Sequence, residues 1–326
     1  MMKKLLAALA TGVLLASAQS AIAADSPRIQ AMNDFDQLRA RSTPSVEIIR
    51  SGIKYSESVL PFDGGLLISN FGSDMIEPRV DESKGFVIYY RDGMTFNLIP
   101  VGSGLHKPTA MIVKDKHLFV CDTDCLKVFK VEDFTETLAA PTKVIKFEDD
   151  DRVVNALALD GNTLYISVTN TDRIYALDVS NVEKLGKPKK FIELPGPNGM
   201  AVRDGSLYVA TIPHDYEDFR AEHVIYRVRL GAEPKIEKLL DVPGLYDGAA
   251  LSDDGRMLYV SDWFTSAVQS IDLQTGERKL IYREQGAGPA DIAQAGGVLY
   301  IPDLPGSRVL EIQVGHTTPS PMSSRR

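Results

Sequence analysis

The sequence has few cysteines, one tryptophan and fewer basic than acidic side chains, which argues against several classes of binding partner. Among its 326 residues are two cysteines and one tryptophan, and 36 basic side chains face 44 acidic ones, for a formal net charge of −8. Such a chain has no general positive field for nucleic acid or anionic membranes. We therefore expect neither as a partner, and favour neutral small molecules or cations as ligands.

Several catalytic motifs are also missing from the sequence. There is no Gly-x-Ser-x-Gly elbow, no His-Glu-x-x-His pair and no glycine-rich phosphate loop. The histidines show no zinc-site spacing; they stand at positions 106, 117, 214, 223 and 316. The sequence therefore does not support a serine hydrolase of the nucleophile-elbow type or a helix-based zinc peptidase.

A long hydrophobic run occurs only at the N-terminus. Lys3-Lys4 precede an apolar stretch from Leu5 to about Ala18, and Ala21-Ile22-Ala23 follow it. These are the three parts of a secretory signal, and the apolar stretch is shorter than the roughly 20 residues of a membrane span. The pattern predicts a signal peptide over residues 1–23, cleavage after Ala23, and a periplasmic or secreted protein with no membrane attachment after cleavage.

The two cysteines, Cys121 and Cys125, are separated by three residues. In an oxidising compartment this spacing is compatible with a disulfide across a tight hairpin, and the sequence does not decide whether it forms. A metal site built on the two thiols would need further soft ligands, and none is evident nearby.

The chain is rich in turn formers and in aromatic residues, which favours an all-β protein. It has 25 Gly, 18 Pro, 12 Tyr and 12 Phe. A short strand of Leu, then Leu or an aromatic residue, then Val or Ile recurs six times: Leu66-Leu67-Ile68, Leu118-Phe119-Val120, Leu164-Tyr165-Ile166, Leu207-Tyr208-Val209, Leu258-Tyr259-Val260 and Leu299-Tyr300-Ile301. The intervals average about 47 residues, which is typical of a four-stranded propeller blade.

The sixth repeat ends after its third strand, near Val314, and so lacks a fourth. A spare strand precedes the first repeat at residues 45–49, and pairing there would remove an open sheet edge. We predict a six-bladed β-propeller over residues 45–315 whose last blade is closed by this N-terminal strand. Residues 24–44 form an extension, and residues 316–326 a disordered tail.

Equivalent residues of a propeller's inner strands meet around the axial channel. The first position of that strand is Glu57, Thr109, Asn155, Asn198, Asp247 and Ala290 in the six repeats. Four of these side chains, Glu57, Asn155, Asn198 and Asp247, offer oxygen ligands. An oxygen-only set suits Ca²⁺ best, with Mg²⁺ or Mn²⁺ as further possibilities.

A simpler interpretation is that Asn198-Gly199 and Asp247-Gly248 are turn dipeptides. It explains Glu57 and Asn155 poorly, because neither is followed by glycine. At the level of the sequence both interpretations stay open, and we favour the cation site.

The order Glu57, Asn155, Asn198, Asp247, with Pro197-Asn198-Gly199, resembles the regucalcin and gluconolactonase family of six-bladed propellers. The resemblance, to a divergent bacterial branch of the senescence marker protein-like family, implies a divalent cation held by these four residues, with Asp247 catalytic. The family's first motif is commonly Glu-Gly-Pro, whereas this chain has Glu57-Ser58-Val59. Sugar lactonases of the family often have arginine two residues before the first metal asparagine; here that position is Val153 and Arg152 lies one residue further back.

These features predict an exported, calcium-dependent hydrolase of lactones or related esters. The alternative is a non-catalytic propeller that binds a ligand or protein and has a structural calcium site. Residues near the channel mouth are candidates for contact with a small-molecule substrate: Asn70, Thr109, Arg152, His214 and Asp262.

Overall fold

A computed structural model describes residues 26–35, 37–38, 45–73, 83–138, 140–215 and 219–315. Within these ranges the chain forms one α-helix, α1 (Pro27–Phe35), two 3₁₀ turns and 24 strands in six four-stranded sheets. The all-β, six-bladed propeller is therefore confirmed. The predicted signal peptide and the tail at 316–326 lie outside the described residues, as do residues 24–25, 36 and 39–44 of the predicted extension.

Each blade is an antiparallel sheet. In blades 1 to 5 the strands follow chain order from the channel outwards, whereas the outermost strand of blade 6 is the first strand of the chain. The first three blades are β2 (Ser56–Phe62), β3 (Gly65–Asn70), β4 (Phe86–Arg91), β5 (Met94–Ile99); β6 (Pro108–Lys114), β7 (His117–Asp122), β8 (Cys125–Lys130), β9 (Lys143–Lys146); and β10 (Val154–Asp160), β11 (Thr163–Val168), β12 (Arg173–Asp178), β13 (Lys189–Glu193).

The last three blades follow the same plan, except that the sixth begins with a short inner strand. They are β14 (Pro197–Arg203), β15 (Ser206–Thr211), β16 (Ile225–Arg229), β17 (Lys235–Leu240); β18 (Tyr246–Leu251), β19 (Met257–Asp262), β20 (Ala267–Asp272), β21 (Arg278–Arg283); and β22 (Ala293–Ala295), β23 (Val298–Asp303), β24 (Arg308–Gln313).

The sixth blade is closed by β1 (Val46–Ile49), as the sequence predicts. This strand pairs antiparallel with β24, from Val46 opposite Ile312 to Ile49 opposite Val309. Ile49 is buried, in an apolar cluster that also contains Val309 of blade 6 and Ile68 of blade 1. One short strand from the start of the propeller thus covers the edge of β24 and contributes to the seam between the last and first blades.

The apolar core lies between neighbouring blades. In every repeat the first and third residues of the recurring triplet are at most 5% exposed. These two residues share one face of the second strand, and the middle residue, which points to the opposite face, is buried in five of the six repeats. Both faces of the strand are therefore covered by adjacent blades. The clusters follow this arrangement: one joins blades 1 and 2, another blades 5 and 6. The inner strands contact one another in sequence around the ring.

Helix α1 packs on the ring near blade 5. Asp34 accepts a hydrogen bond from Arg278 at 2.6 Å, and the Arg283 guanidinium lies 4.7 Å from the centre of the Phe35 ring. Ala31 and Phe35 are the buried residues of this helix. In the described part of the chain, no helix has the length and apolarity to cross a membrane.

The two cysteines form no disulfide in the structure; both are free and buried. Cys125 pairs with Asp122 across the β7–β8 hairpin, and Cys121 pairs with Leu126. Because successive residues of a strand point to opposite faces, this register directs the two thiols away from each other.

The closing strand generates a prediction about stability. Glu47 of β1 lies directly opposite Glu311 of β24. Burial, and secondarily the charge of Glu47, raise the pKa of Glu311 above its ordinary value. The native state therefore binds this proton more tightly than the unfolded chain, so stability falls as the pH rises above about 4.5, the ordinary value.

Glu47→Gln removes the repulsion between like charges. We expect it to raise the free energy of unfolding at pH 7 by about 0.5 kcal/mol, and by less at pH 4, in denaturant titrations. Glu233→Gln, in the exposed turn between β16 and β17, is the matched control. An equal effect of the two substitutions at both pH values would refute this account.

Candidate cation site

The predicted column of oxygen ligands occupies one repeated backbone irregularity. In blade 1, Ser56 pairs with Asn70 and Val59 with Ile68, so two residues, Glu57 and Ser58, face one residue of β3. This is a β-bulge, which re-aims the side chain of the extra residue. The same shift in β6, β10, β14 and β18 puts the equivalent residues at the first bulge position: Thr109, Asn155, Asn198 and Asp247.

Blade 6 continues the pattern but adds an acidic residue. Pro289 bridges Asp303 and Ala293 pairs with Tyr300, so Ala290 holds the first bulge position and Asp291 follows it. The sequence comparison stopped at Ala290 and missed Asp291. The available signal was in the adjoining column, where the other five repeats have only Ser, Ala or Gly: Ser58, Ala110, Ala156, Gly199 and Gly248.

Asn198-Gly199 and Asp247-Gly248 are not turns, because both dipeptides lie within strands. A Cβ on Gly199 would overlap the carbonyl oxygen of Asp247. A Cβ on Gly248 would lie 2.5 Å from Ile292 N and 2.8 Å from Asp291 Cα. The glycines therefore allow the inner strands of blades 4, 5 and 6 to approach backbone to backbone, beside two of the predicted ligands.

Hydrogen bonds between blades fix the backbone around the bulges. A hydroxyl or amide of one blade donates to a bulge carbonyl of the next: Thr109 Oγ1 to Asn155 O at 2.7 Å, Ser167 Oγ to Asn198 O at 2.9 Å, Ser261 Oγ to Ala290 O at 2.8 Å, and Asp291 N to Glu57 O at 3.0 Å. These bonds lock the segments that carry the candidate ligands, so their side chains are presented on a rigid frame.

Each of the four candidate ligands has a buried oxygen without a hydrogen-bond partner. The atoms are Glu57 Oε2, Asn155 Oδ1, Asn198 Oδ1 and Asp247 Oδ1. These residues are between 4% and 7% exposed. Only three other side-chain atoms in the described ranges share this condition: Thr123 Oγ1, Trp263 Nε1 and Gln294 Oε1. Buried polar atoms are normally paired, so four unpaired oxygens at one repeated position fit a bound cation.

The carboxylates at this site interact with one another. Burial, then the charges of Asp247 and Asp291, raise the pKa of Glu57 well above its ordinary value. Burial and the charge of Asp291 likewise raise the pKa of Asp247. Burial raises the pKa of Asp291, and a hydrogen bond from Ser58 opposes this effect. No basic side chain is among the causes of these three shifts, and the ionised form of one carboxylate opposes ionisation of the next.

Carboxylates alone do not make the site. Across the described segments, no group of three or more His, Cys, Asp and Glu side chains is placed to hold a metal ion. A cation would therefore need the amide oxygens of Asn155 and Asn198 beside Glu57 and Asp247, which is the mixed set that the sequence predicts. Hard oxygen ligands of this kind suit Ca²⁺, or Mg²⁺ and Mn²⁺ with more bound water.

Three of the predicted substrate contacts hold the backbone in place. Asn70 accepts a hydrogen bond from Lys54 N at 2.8 Å, and Asp262 accepts one from Leu245 N at 3.0 Å. The hydroxyl of Thr109 is used between blades 2 and 3. Arg152 and His214 are exposed. Substrate contact by any of the five stays a prediction.

Trp263, the single tryptophan, lies beside the site. Its side chain is 8% exposed. The indole N–H lies outside strict hydrogen-bond geometry with Asp247, yet it is close enough for a hydrogen-bonding interaction that opposes the rise in that carboxyl's pKa. The indole is therefore a natural spectroscopic probe of the site.

Comparisons with known proteins support the fold. No protein-family model matches the chain, and no curated protein matches it in sequence. Similar solved structures include a protein of unknown function from Bacteroides thetaiotaomicron, with 14% identity and a TM-score of 0.59 over 83% of this chain and 72% of that one.

A streptogramin B lyase structure has 12% identity and a TM-score of 0.54, over 83% of this chain and 98% of that one. A catalytically inactive virginiamycin B lyase from Staphylococcus aureus, solved with quinupristin, has 12% identity and a TM-score of 0.53, over 83% and 99%. At these identities the similarity shows a propeller fold and nothing finer.

The close approach of the inner strands predicts the effect of a single methyl group. Gly199→Ala should lower the free energy of unfolding by at least about 2 kcal/mol, because its Cβ meets backbone that cannot move aside. Gly231→Ala is the control, since its Cβ would meet nothing within 4 Å. Thermal or denaturant unfolding of the two variants gives the comparison; equal stability would contradict the packing described here.

Proposed function

We propose that this protein is an exported, calcium-dependent hydrolase of lactones or related esters. Glu57, Asn155, Asn198 and Asp247 would hold the cation at one end of the propeller channel. The supporting observation is the set of four buried, unpartnered oxygens at the same bulge position of four blades. The predicted signal peptide supports export, to a compartment where calcium is plentiful.

The chemistry assigned to the site is ester hydrolysis. When bound, a divalent cation supplies Lewis acidity toward an ester carbonyl and a nearby water. Asp247 accepts a proton from the water as its oxygen bonds to the carbonyl carbon. The ester C–O bond then breaks, and the proton passes to the leaving oxygen. A lactone is thereby opened to a hydroxy acid.

The residues of this chain favour a reactive ester over an amide. A carboxylate that also binds a cation is a weak base, which suffices for an activated lactone better than for a peptide bond. The resemblance to the regucalcin and gluconolactonase family points in the same direction. Arg152 is exposed and one residue away from the position of the family's arginine, so a sugar-acid lactone is not singled out as the substrate.

The test is turnover of a panel of aldonolactones, acyl lactones and aryl esters, with calcium and with a chelator. We expect chelator-sensitive hydrolysis, with Asp247→Ala reducing kcat/KM by about 1,000-fold because it removes both a ligand and the base. Asp204→Ala, at an exposed turn, is the matched control and should keep full activity. Reaction in H₂¹⁸O should place one ¹⁸O in the product carboxylate.

The outcomes separate the proposal from its rivals. Calcium binding without turnover of any ester would favour the non-catalytic propeller with a structural calcium site. Ring opening without ¹⁸O incorporation would indicate an elimination, and so a lyase. Activity unaffected by the chelator would remove the cation from the mechanism.

A further inference from the structure

We propose that Asp291 is a positioning residue of the cation site. It contributes a third negative charge from blade 6 and holds the segment that carries Glu57, and both effects strengthen divalent cation binding. This inference rests on the cation site of the proposed function, and it concerns a residue outside the set of four ligands.

Asp291 contacts the Glu57-Ser58 segment through both its backbone and its side chain. Its N–H donates to the carbonyl oxygen of Glu57 at 3.0 Å. Its Oδ2 accepts a hydrogen bond from the Ser58 hydroxyl at 2.9 Å. The backbones of Ser58 and Asp291 also form an isolated parallel bridge across the seam between the first and last blades. Main-chain and side-chain contacts therefore fix the same short segment.

Asp291 also abuts the strand of the other carboxylate ligand. A Cβ on Gly248, the residue after Asp247, would lie 2.8 Å from Asp291 Cα. The aspartate thus stands between the bulges of blades 5 and 1. A substitution at this position would therefore alter the surroundings of both Glu57 and Asp247.

The acidic character of Asp291 needs an explanation beyond packing. A serine or asparagine could accept the same hydrogen bond from Ser58 without the cost of a partly buried charge. Among the described residues, the only side-chain hydrogen bond of Asp291 is the one from Ser58, and its charge opposes the ionisation of Glu57 and Asp247. The independent sign of a cation is the unpartnered Oε2 of Glu57 and Oδ1 of Asp247, on residues 4% and 6% exposed.

Asp291 acts from outside the coordination sphere. Over the part of the chain with described coordinates, three acidic side chains are nowhere grouped closely enough to hold one ion. A carboxylate that fixes a ligand through hydrogen bonds and adds charge from a distance is a common feature of metal sites, and its loss typically weakens metal binding 10- to 100-fold.

The test is calcium titration of the full-length mature protein, followed by calorimetry and by the fluorescence of Trp263. Asp291→Asn keeps the shape and an acceptor for Ser58. We expect the calcium Kd to rise about 10- to 100-fold. In chelator the melting temperature should rise, because the substitution removes a partly buried carboxylate whose charge opposes the ionisation of Glu57 and Asp247.

Asp303→Asn in the same blade is the matched control. Asp303 is 2% exposed and already accepts hydrogen bonds from Gly288 N and Arg308 Nε. Its substitution should lower the melting temperature with and without calcium while leaving the calcium Kd unchanged. Ser58→Ala, which keeps the charge of Asp291 but removes the hydroxyl, should weaken calcium binding by less than Asp291→Asn.

The failures of the two proposals differ. If the wild-type protein shows no calcium binding, the cation site itself is wrong, and the role of Asp291 falls with it. If the wild-type protein binds calcium and Asp291→Asn binds within twofold of it, the role of Asp291 is refuted while the four-ligand site stands. A lower melting temperature in both conditions with an unchanged Kd would make Asp291 purely structural.

Discussion

The backbone approach of the inner strands at their bulges is the constraint on which the site depends. Gly199 and Gly248 leave no room for a side chain, since neighbouring backbone occupies the space. This packing lies beside Asn198 and Asp247, and the first bulge position of four blades in all holds a buried side-chain oxygen without a hydrogen-bond partner. These unpaired oxygens at equivalent places in four blades are the observation behind the proposed cation site.

Much of the architecture could be predicted from the sequence because each blade repeats the same short pattern of apolar residues. The Leu-aromatic-Val triplets identify the second strand of each blade, which is buried on both faces, and the spare strand at Val46–Ile49 identifies the closure. The column of candidate ligands could be aligned because every bulge adds its extra residue at the same place. The sequence could not show the bulge itself, but its regular recurrence preserved the alignment.

Other features depend on contacts that no local pattern encodes. The proposed role of Asp291 depends on its hydrogen bond with Ser58, which is 233 residues away along the chain and adjacent only in the closed ring. Asn-Gly and Asp-Gly are typical of turns, and only neighbouring backbone shows that these glycines serve close packing. Asn70 and Asp262 are predicted substrate contacts, yet their side chains bind loop amides, whose positions follow from the tertiary fold.

A crystal structure of the protein grown with calcium tests the central claim most directly. The account predicts one ion between the inner strands, bound about 2.3–2.6 Å from oxygens of Glu57, Asn155, Asn198 and Asp247, with the Asp291 carboxylate beyond that distance. An ion bound elsewhere, or these four oxygens pointing apart at saturating calcium, would contradict it.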